Sequence, residues 1–198
     1  MSTALDQSYA YKLTYNDYLN LPDDGKRKEL IDGKLFLMAS PSHRHQEVLG
    51  ELFSILHAFL RDKKCKSFMA PYDVRLPIYN ENDGDVINVV QPDIVIYCNK
   101  NNVDEKGGKS APEIIIEILS PSTAKTDRIT KYRLYEAAKV KEYWIVDIDN
   151  EFIEIHVHNG IKFVSPVHYL GEDTIKTPVL DSFAVKASQI FPETFTSA

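Results

Sequence analysis

Two carboxylates lie in stretches where a carboxylate is costly. Glu117 falls inside Pro112-Glu113-Ile114-Ile115-Ile116-Glu117-Ile118-Leu119-Ser120-Pro121, whose β-branched run and closing Ser-Pro read as a short buried strand. Asp93 falls inside Val89-Val90-Gln91-Pro92-Asp93-Ile94-Val95-Ile96-Tyr97, read as the preceding strand. An ionised carboxylate left in an apolar layer costs several kcal/mol even after its surroundings relax. Glu117 must therefore be neutral, paired with a cation, or bound to a metal. A structural ion pair fits the residue type as well as a site does. Alternation gives Glu113, Ile115, Glu117 and Leu119 one strand face, and Asp93, Val95 and Tyr97 another. If the two strands are neighbours, both acids project to one side and raise each other's pKa unless a cation sits between them. Mg²⁺ suits such a place, because it takes one or two carboxylates together with waters and a phosphate.

The elements that must position these acids follow from local patterns. Residues 1–12 read as a flexible tail and 13–198 as one domain. Thr14 caps a short helix that Leu21-Pro22 closes, and Lys28–Met38 reads as a hairpin turning at Asp32-Gly33, with Glu29 on its first arm. Ser42 caps a helix predicted to reach Lys63, with Val48, Leu49, Leu52, Ile55, Leu56, Phe59 and Leu60 as its apolar stripe. By position, His43 and His45 read as first-turn polar residues facing solvent. Strands are expected over Lys66–Leu76, Lys141–Asp147, Glu151–His158 and Ile161–Pro166, a mobile loop over Asn99–Ser110, and helices over 124–138 and 184–191. This order implies an α/β or mixed α+β domain with one mixed sheet, in which the crossover through 124–138 makes its two flanking strands parallel.

Composition narrows the classes. The chain has 198 residues, 43% hydrophobic and 26% charged, with a net charge of −6. That balance argues against a strong non-specific nucleic-acid binder, but not against a nuclease, whose metal brings positive charge of its own. No apolar run is long enough to span a bilayer, and the N-terminus lacks a basic segment followed by an apolar one, so a cytoplasmic location is expected. Cys65 and Cys98 have no metal-ligand spacing and are expected to be reduced.

Taken together, Glu29-Leu30-Ile31-Asp32-Gly33, His45, Gln91-Pro92-Asp93, Glu117-Ile118-Leu119-Ser120-Pro121-Ser122-Thr123, Asp127 with Lys131 and Tyr135, and Glu142-Tyr143-Trp144-Ile145-Val146-Asp147 resemble the Uma-type restriction-endonuclease group of the PD-(D/E)XK nuclease superfamily. The resemblance covers roughly residues 13–165. It implies a restriction-endonuclease-like core, a mixed central sheet flanked by helices, with an added N-terminal hairpin and C-terminal strands. It also implies metal-dependent hydrolysis of DNA, duplex or branched. Asp93, Glu117 and the Ile118 carbonyl would hold Mg²⁺ (or Mn²⁺), Glu29 and His45 would assist, and two copies would form a homodimer. The superfamily pattern places a lysine two residues after the second acid, where this chain has Leu119. Lys131, on one helix face with Asp127 and Tyr135 at i, i+4, i+8, is the relocated candidate. Gln91 is a further polar candidate expected to share the Asp93 face, and Arg61, Lys63, Lys64, Lys66, Lys125 and Arg128 are the cations that could meet DNA. A nuclease fold that binds nucleic acid or a protein without cutting is the alternative, and a bare Glu117–Lys131 ion pair is a third. Lys139, at the end of the 124–138 helix where relatives have glycine, is a backbone matter.

Overall fold

In the computed structural model, which describes residues 11–121 and 123–193, the isoleucine run forms β9 (Ile114–Ile118), buried along its whole length. It lies within a six-stranded sheet. From one edge to the other the strands are Val167–Leu170 (β12), Phe152–Val157 (β11), Glu142–Asp147 (β10), β9, Ile94–Tyr97 (β6) and Lys66–Met69 (β3). β9 and β10 are parallel, joined by the helical crossover over 124–137, while β6 runs antiparallel to β9. A strand whose two faces are both covered can carry an unbroken apolar run, and this one does.

The expected single sheet is in fact two six-stranded sheets, with a separate two-stranded pair near the C-terminus, among the described residues. The second contains Lys34–Leu37 (β2), Lys28–Ile31 (β1), Val89–Val90 (β5), Val74–Arg75 (β4), Gly107–Gly108 (β8) and Val103–Asp104 (β7), in that order. Prolines make the division. The run Val89–Tyr97 is not one strand: β5 pairs in the second sheet, β6 in the first, and Gln91-Pro92-Asp93 hands the chain across. Pro92 has no N–H to give a ladder, so pairing stops there. Lys66–Leu76 divides likewise into β3 and β4 on either side of Ala70-Pro71.

Asn99–Ser110, expected as a mobile loop, is ordered by a buried cation. Arg75 donates from Nε to the Gly108 carbonyl (3.0 Å), from Nη1 to both oxygens of Asp83 (2.8 Å each) and from Nη2 to Asp104 (2.6 Å). Gly108 is required there, since a Cβ would sit 1.9 Å from the Tyr97 hydroxyl. A disulfide joins Cys65 and Cys98, contrary to the expected free thiols. The β3–β6 register pairs Lys66 with Tyr97, so the two cysteines continue it as direct cross-strand neighbours.

Two helices cover the principal sheet. α1 (Tyr15–Leu19) lies apart from them and is closed by a Thr14–Asp17 capping box. α2 (His43–Leu60), capped by the Ser42 hydroxyl accepting the His45 N–H, lays Val48, Leu49, Leu52 and Leu56 on Ile94, Ile96, Ile114 and Ile116. It ends three residues before Lys63. On the opposite sheet face, Val95, Ile115, Leu119 and Tyr143 meet Ile31, Val74 and Val90 of the second sheet and Leu134 and Tyr135 of α3 (Tyr132–Ala137). The crossover helix is not α-helical throughout: Thr126–Lys131 is a π turn, in which the Tyr132 N–H reaches the Asp127 carbonyl five residues back. Near the C-terminus, Ile161–Pro166 contributes only a His158–Phe163 bridge rather than a strand. The expected helix over 184–191 is Val185–Lys186 (β14), paired with Thr174–Ile175 (β13), followed by a 3₁₀ turn at Ala187–Ile190. Of the tail read over 1–12, residues 1–10 lie outside the described residues, while Lys12 forms an ion pair with Asp32.

Candidate active site

Glu117 is 4% exposed, so it has not escaped to a wet strand end. The β6–β9 register, which pairs Ile94 with Ile116, sets Asp93 opposite Glu117 one step beyond the end of β6. The two acids thus meet across an antiparallel pair, as the alternation required. Asp93 Oδ2 accepts the Ile118 N–H at 2.8 Å and faces His45 Nε2 at 3.2 Å. His45 corrects the first-turn reading: it is buried, because the start of α2 packs over the ends of β6 and β9.

The second shore of the site comes from the crossover. Lys131 Nζ lies 2.9 Å from Glu117 Oε1, 2.9 Å from Glu29 Oε1 and 3.6 Å from Asp127 Oδ1. Tyr135 donates its hydroxyl to the same Glu117 oxygen at 2.6 Å. Asp127, Lys131 and Tyr135 therefore do share a face, and that face is turned onto Glu117. The π turn is locked from the sheet, where the Tyr143 hydroxyl donates to the Asp127 carbonyl at 3.2 Å. Such wide turns recur at functional sites because the inserted residue re-aims the side chains around it. Glu29 arrives from β1, and its Oε1 also accepts the Gln91 N–H at 2.9 Å.

Charge does not balance here. Glu29, Asp93, Glu117 and Asp127 are all buried, and the buried cation among them is Lys131. Burial holds the Glu117 carboxyl well above the usual range; Lys131 opposes this, while Asp127, Asp93 and Glu29 add to it. Asp127 is raised for the same first reason, again against the pull of Lys131. For Lys131, burial pulls the ammonium down, but Glu117, Glu29 and Asp127 outweigh it and leave it above its ordinary value. Burial, followed by the Glu117 carboxylate, keeps the Tyr135 phenol protonated and able to donate.

Asp93, Glu117, Lys131, His45 and Asp127 line one cavity of about 100 Å³. Among the described residues, Asp93 Oδ1 and Glu117 Oε2 carry no hydrogen bond, so each acid has one oxygen committed to the protein and one spare. Hard oxygen donors beside surplus negative charge fit Mg²⁺ or Mn²⁺. No three His, Cys, Asp or Glu side chains among the described residues form a ready-made cage. Mg²⁺ does not need one, because it keeps several waters and takes substrate oxygens.

Other expected residues fall elsewhere. The Gln91 side chain does not share the Asp93 face, because the Pro92 turn sends it to Asp73 (2.8 Å) and to the Arg27 Nε (3.0 Å). Arg61, Lys63, Lys64 and Lys66 cluster beyond the far end of the 18-residue α2, about 25 Å along its axis from His45. Arg128 is engaged within the protein by Glu154 and Asp147. Leu119 is apolar core on the Glu117 face, so the in-strand lysine position is filled by packing. Sequence reasoning passed over Arg27, which also lines the cavity; its position in a polar Asp-Gly-Lys-Arg-Lys loop carried no periodic signal.

The comparisons with known proteins bear on the family and the fold. Residues 15–187 match the model of a family named Uma2 and described as "Putative restriction endonuclease". Two uncharacterized proteins of Synechocystis sp. are each 25% identical to this chain, one over 88% of it and 90% of its own length, the other over 68% and 75%. In fold, the chain is similar to a crystal structure titled a putative nuclease of DUF820 from Anabaena variabilis, with a TM-score of 0.72 at 17% identity, covering 90% of this chain and 97% of that one.

Proposed function

The chain belongs to the Uma2 family, and we propose that it is a metal-dependent nuclease that hydrolyses phosphodiester bonds of DNA. The observation that carries this reading is the imbalance of the site: three buried acids converge on one ammonium and a fourth, Asp93, lies beside them at the same cavity, with a spare oxygen on both Asp93 and Glu117. Mg²⁺ or Mn²⁺ would be held by Asp93 and Glu117, with the Ile118 carbonyl as a further oxygen ligand. When bound, such an ion lowers the pKa of a water and polarises a phosphodiester oxygen.

The remaining chemistry belongs to the chain. The carboxylates around Lys131 favour its ammonium form. It offsets the negative charge that grows on the phosphate as the attacking oxygen arrives. Glu29 positions Lys131 from β1, and Tyr135 fixes the Glu117 oxygen that faces the lysine. His45 and the Ile118 N–H together fix one Asp93 oxygen and leave the other towards the cavity. Lys131 thereby serves for the lysine missing at position 119.

The test is cleavage of plasmid DNA with Mg²⁺ or Mn²⁺. Asp93→Ala, Glu117→Ala and Lys131→Ala should each abolish it while the protein stays folded. Folded wild-type protein that binds neither ion by calorimetry overturns the proposal. A second reading has its own support: Lys131 is already ringed by three carboxylates, the arrangement a non-cutting nucleic-acid-binding fold would retain. Metal binding and DNA binding without strand scission would decide for it.

A further inference from the structure

The geometry points to Arg27 as the phosphate-binding residue of this site, gripping a backbone phosphate of the strand being cut. This rests on the nuclease reading above and names a substrate contact within it. A phosphodiester approaching Asp93 and Glu117 brings a negative charge into a site already rich in it. Some cation must face the substrate, and Lys131 is poorly placed to do so alone: it is buried and held by three carboxylates.

Arg27 differs in each respect. It lines the same cavity, is half-buried rather than buried, and forms no ion pair with any described carboxylate. The hydrogen bonds of its guanidinium run to one residue behind it: Nε to the Gln91 side-chain oxygen at 3.0 Å and Nη2 to the Gln91 carbonyl at 3.4 Å. Among the described residues Nη1 makes none. A guanidinium held from its Nε side, with donors left over, is arranged for the two-point recognition of a phosphate that arginine favours. Gln91 is itself anchored, its amide nitrogen donating to Asp73 at 2.8 Å and its backbone N–H to Glu29 at 2.9 Å. The clamp on Arg27 thus ends on the acid that pairs with Lys131, so the two cations are set relative to each other. Arg27 also lines a second cavity of about 350 Å³, together with Pro22 and Lys26.

The experiment measures binding of a fluorescent DNA duplex by anisotropy at several salt concentrations, with Ca²⁺ in place of Mg²⁺ so that binding is read without turnover. Arg27→Ala should weaken binding about ten- to hundredfold and lower the slope of log affinity against log salt by about one, the mark of one lost phosphate contact. Arg27→Lys should keep the slope and lose part of the affinity, because charge remains and the fork does not. Gln91→Met, which frees the guanidinium without removing it, should cost less than Arg27→Ala and leave the slope unchanged. Calorimetric Mn²⁺ affinity should be the same in all three variants, and thermal melting checks that each is folded. Wild-type affinity and salt slope in folded Arg27→Ala protein overturn the assignment while leaving the nuclease reading standing. Wild-type protein that binds no DNA at all overturns both.

Discussion

Two buried glutamates sit on neighbouring parallel strands, and they are held in opposite ways. Glu142, at the start of β10, faces the α2 side of the sheet and is fully buried. The Thr177 hydroxyl (2.6 Å), the Trp144 indole N–H (2.9 Å) and the Val179 N–H (3.0 Å) close around its carboxylate. Among the described residues, no cation and no second acid bonds to it. Burial pushes its carboxyl up, and those three neutral donors pull it back. Glu117, on β9 and the other face, meets an ammonium, a phenol and three further acids. A buried acid satisfied by neutral donors holds structure together. One left amid surplus charge of its own sign needs a cation that the chain only partly supplies.

That contrast can be broken or sharpened by substitution. Lys131→Met should have the largest effect: stripping the ammonium from three buried carboxylates should lower stability by about 3–5 kcal/mol, and cleavage should vanish with it. Urea unfolding measures the first, and an unfolding midpoint equal to wild type would dissolve the distinction between the two glutamates. Glu117→Gln comes next, with cleavage down at least a hundredfold, about 2.7 kcal/mol in the barrier, and the unfolding midpoint unchanged or higher, since one of several crowded charges is gone. Glu142→Gln should do the reverse. An amide set among three donors turns its NH₂ against one of them, costing about 1–3 kcal/mol, while kcat stays within a few-fold.

A subtler test uses pH. Glu117 has a folded-state pKa above its unfolded value, so the stability it contributes is fully present below the unfolded value, about 4.3, and is lost as pH rises through the raised one. A divalent ion binds the ionised form. The rise in Tm on adding Mg²⁺ should therefore grow with pH across that window, reaching about 1.4 kcal/mol of stabilisation when the ion is at tenfold its Kd. Glu117→Gln should abolish that pH dependence and Glu142→Gln should keep it; a Mg²⁺ effect that is flat with pH would count against Glu117 as a ligand. Lys139→Gly, which ends the helix carrying Lys131 but touches neither glutamate, should have the smallest effect. Lys139 sits at φ 59°, so glycine should add up to about 1 kcal/mol. Activity should stay as it was.

How much of this could be read from the residues depends on the length of the signal. The hairpin at Asp32-Gly33, the stripe of α2 and the parallel β9–β10 pair were all legible, because each rests on a turn, a periodicity or a crossover long enough to be distinctive. So was the meeting of Asp93 with Glu117, which needed only alternation and adjacency. The second sheet was not, since β4, β5, β7 and β8 are two residues each and show no period of two. His45 and Arg27 also escaped the residue-level reading. Nothing local marks a first-turn histidine as buried or a loop arginine as lining a cavity; tertiary packing decides both. The disulfide was obscured for a similar reason, because cysteines far apart in sequence become neighbours only through the β3–β6 register. Asp127 and Tyr135 were found as a helix face, but the π turn that aims them has no signature in the chain.

The dispersed origin of the site has a kinetic consequence. Glu29 and Lys131, in contact at 2.9 Å, are about a hundred residues apart in the chain. Bringing them together requires closing a long loop across both sheets, an entropic cost met only once most of the intervening contacts exist. Refolding chains should therefore recover their β-sheet circular dichroism before they recover cleavage. Enzymatic activity would then serve as a clock for the last step of folding, striking only when the crossover helix has docked.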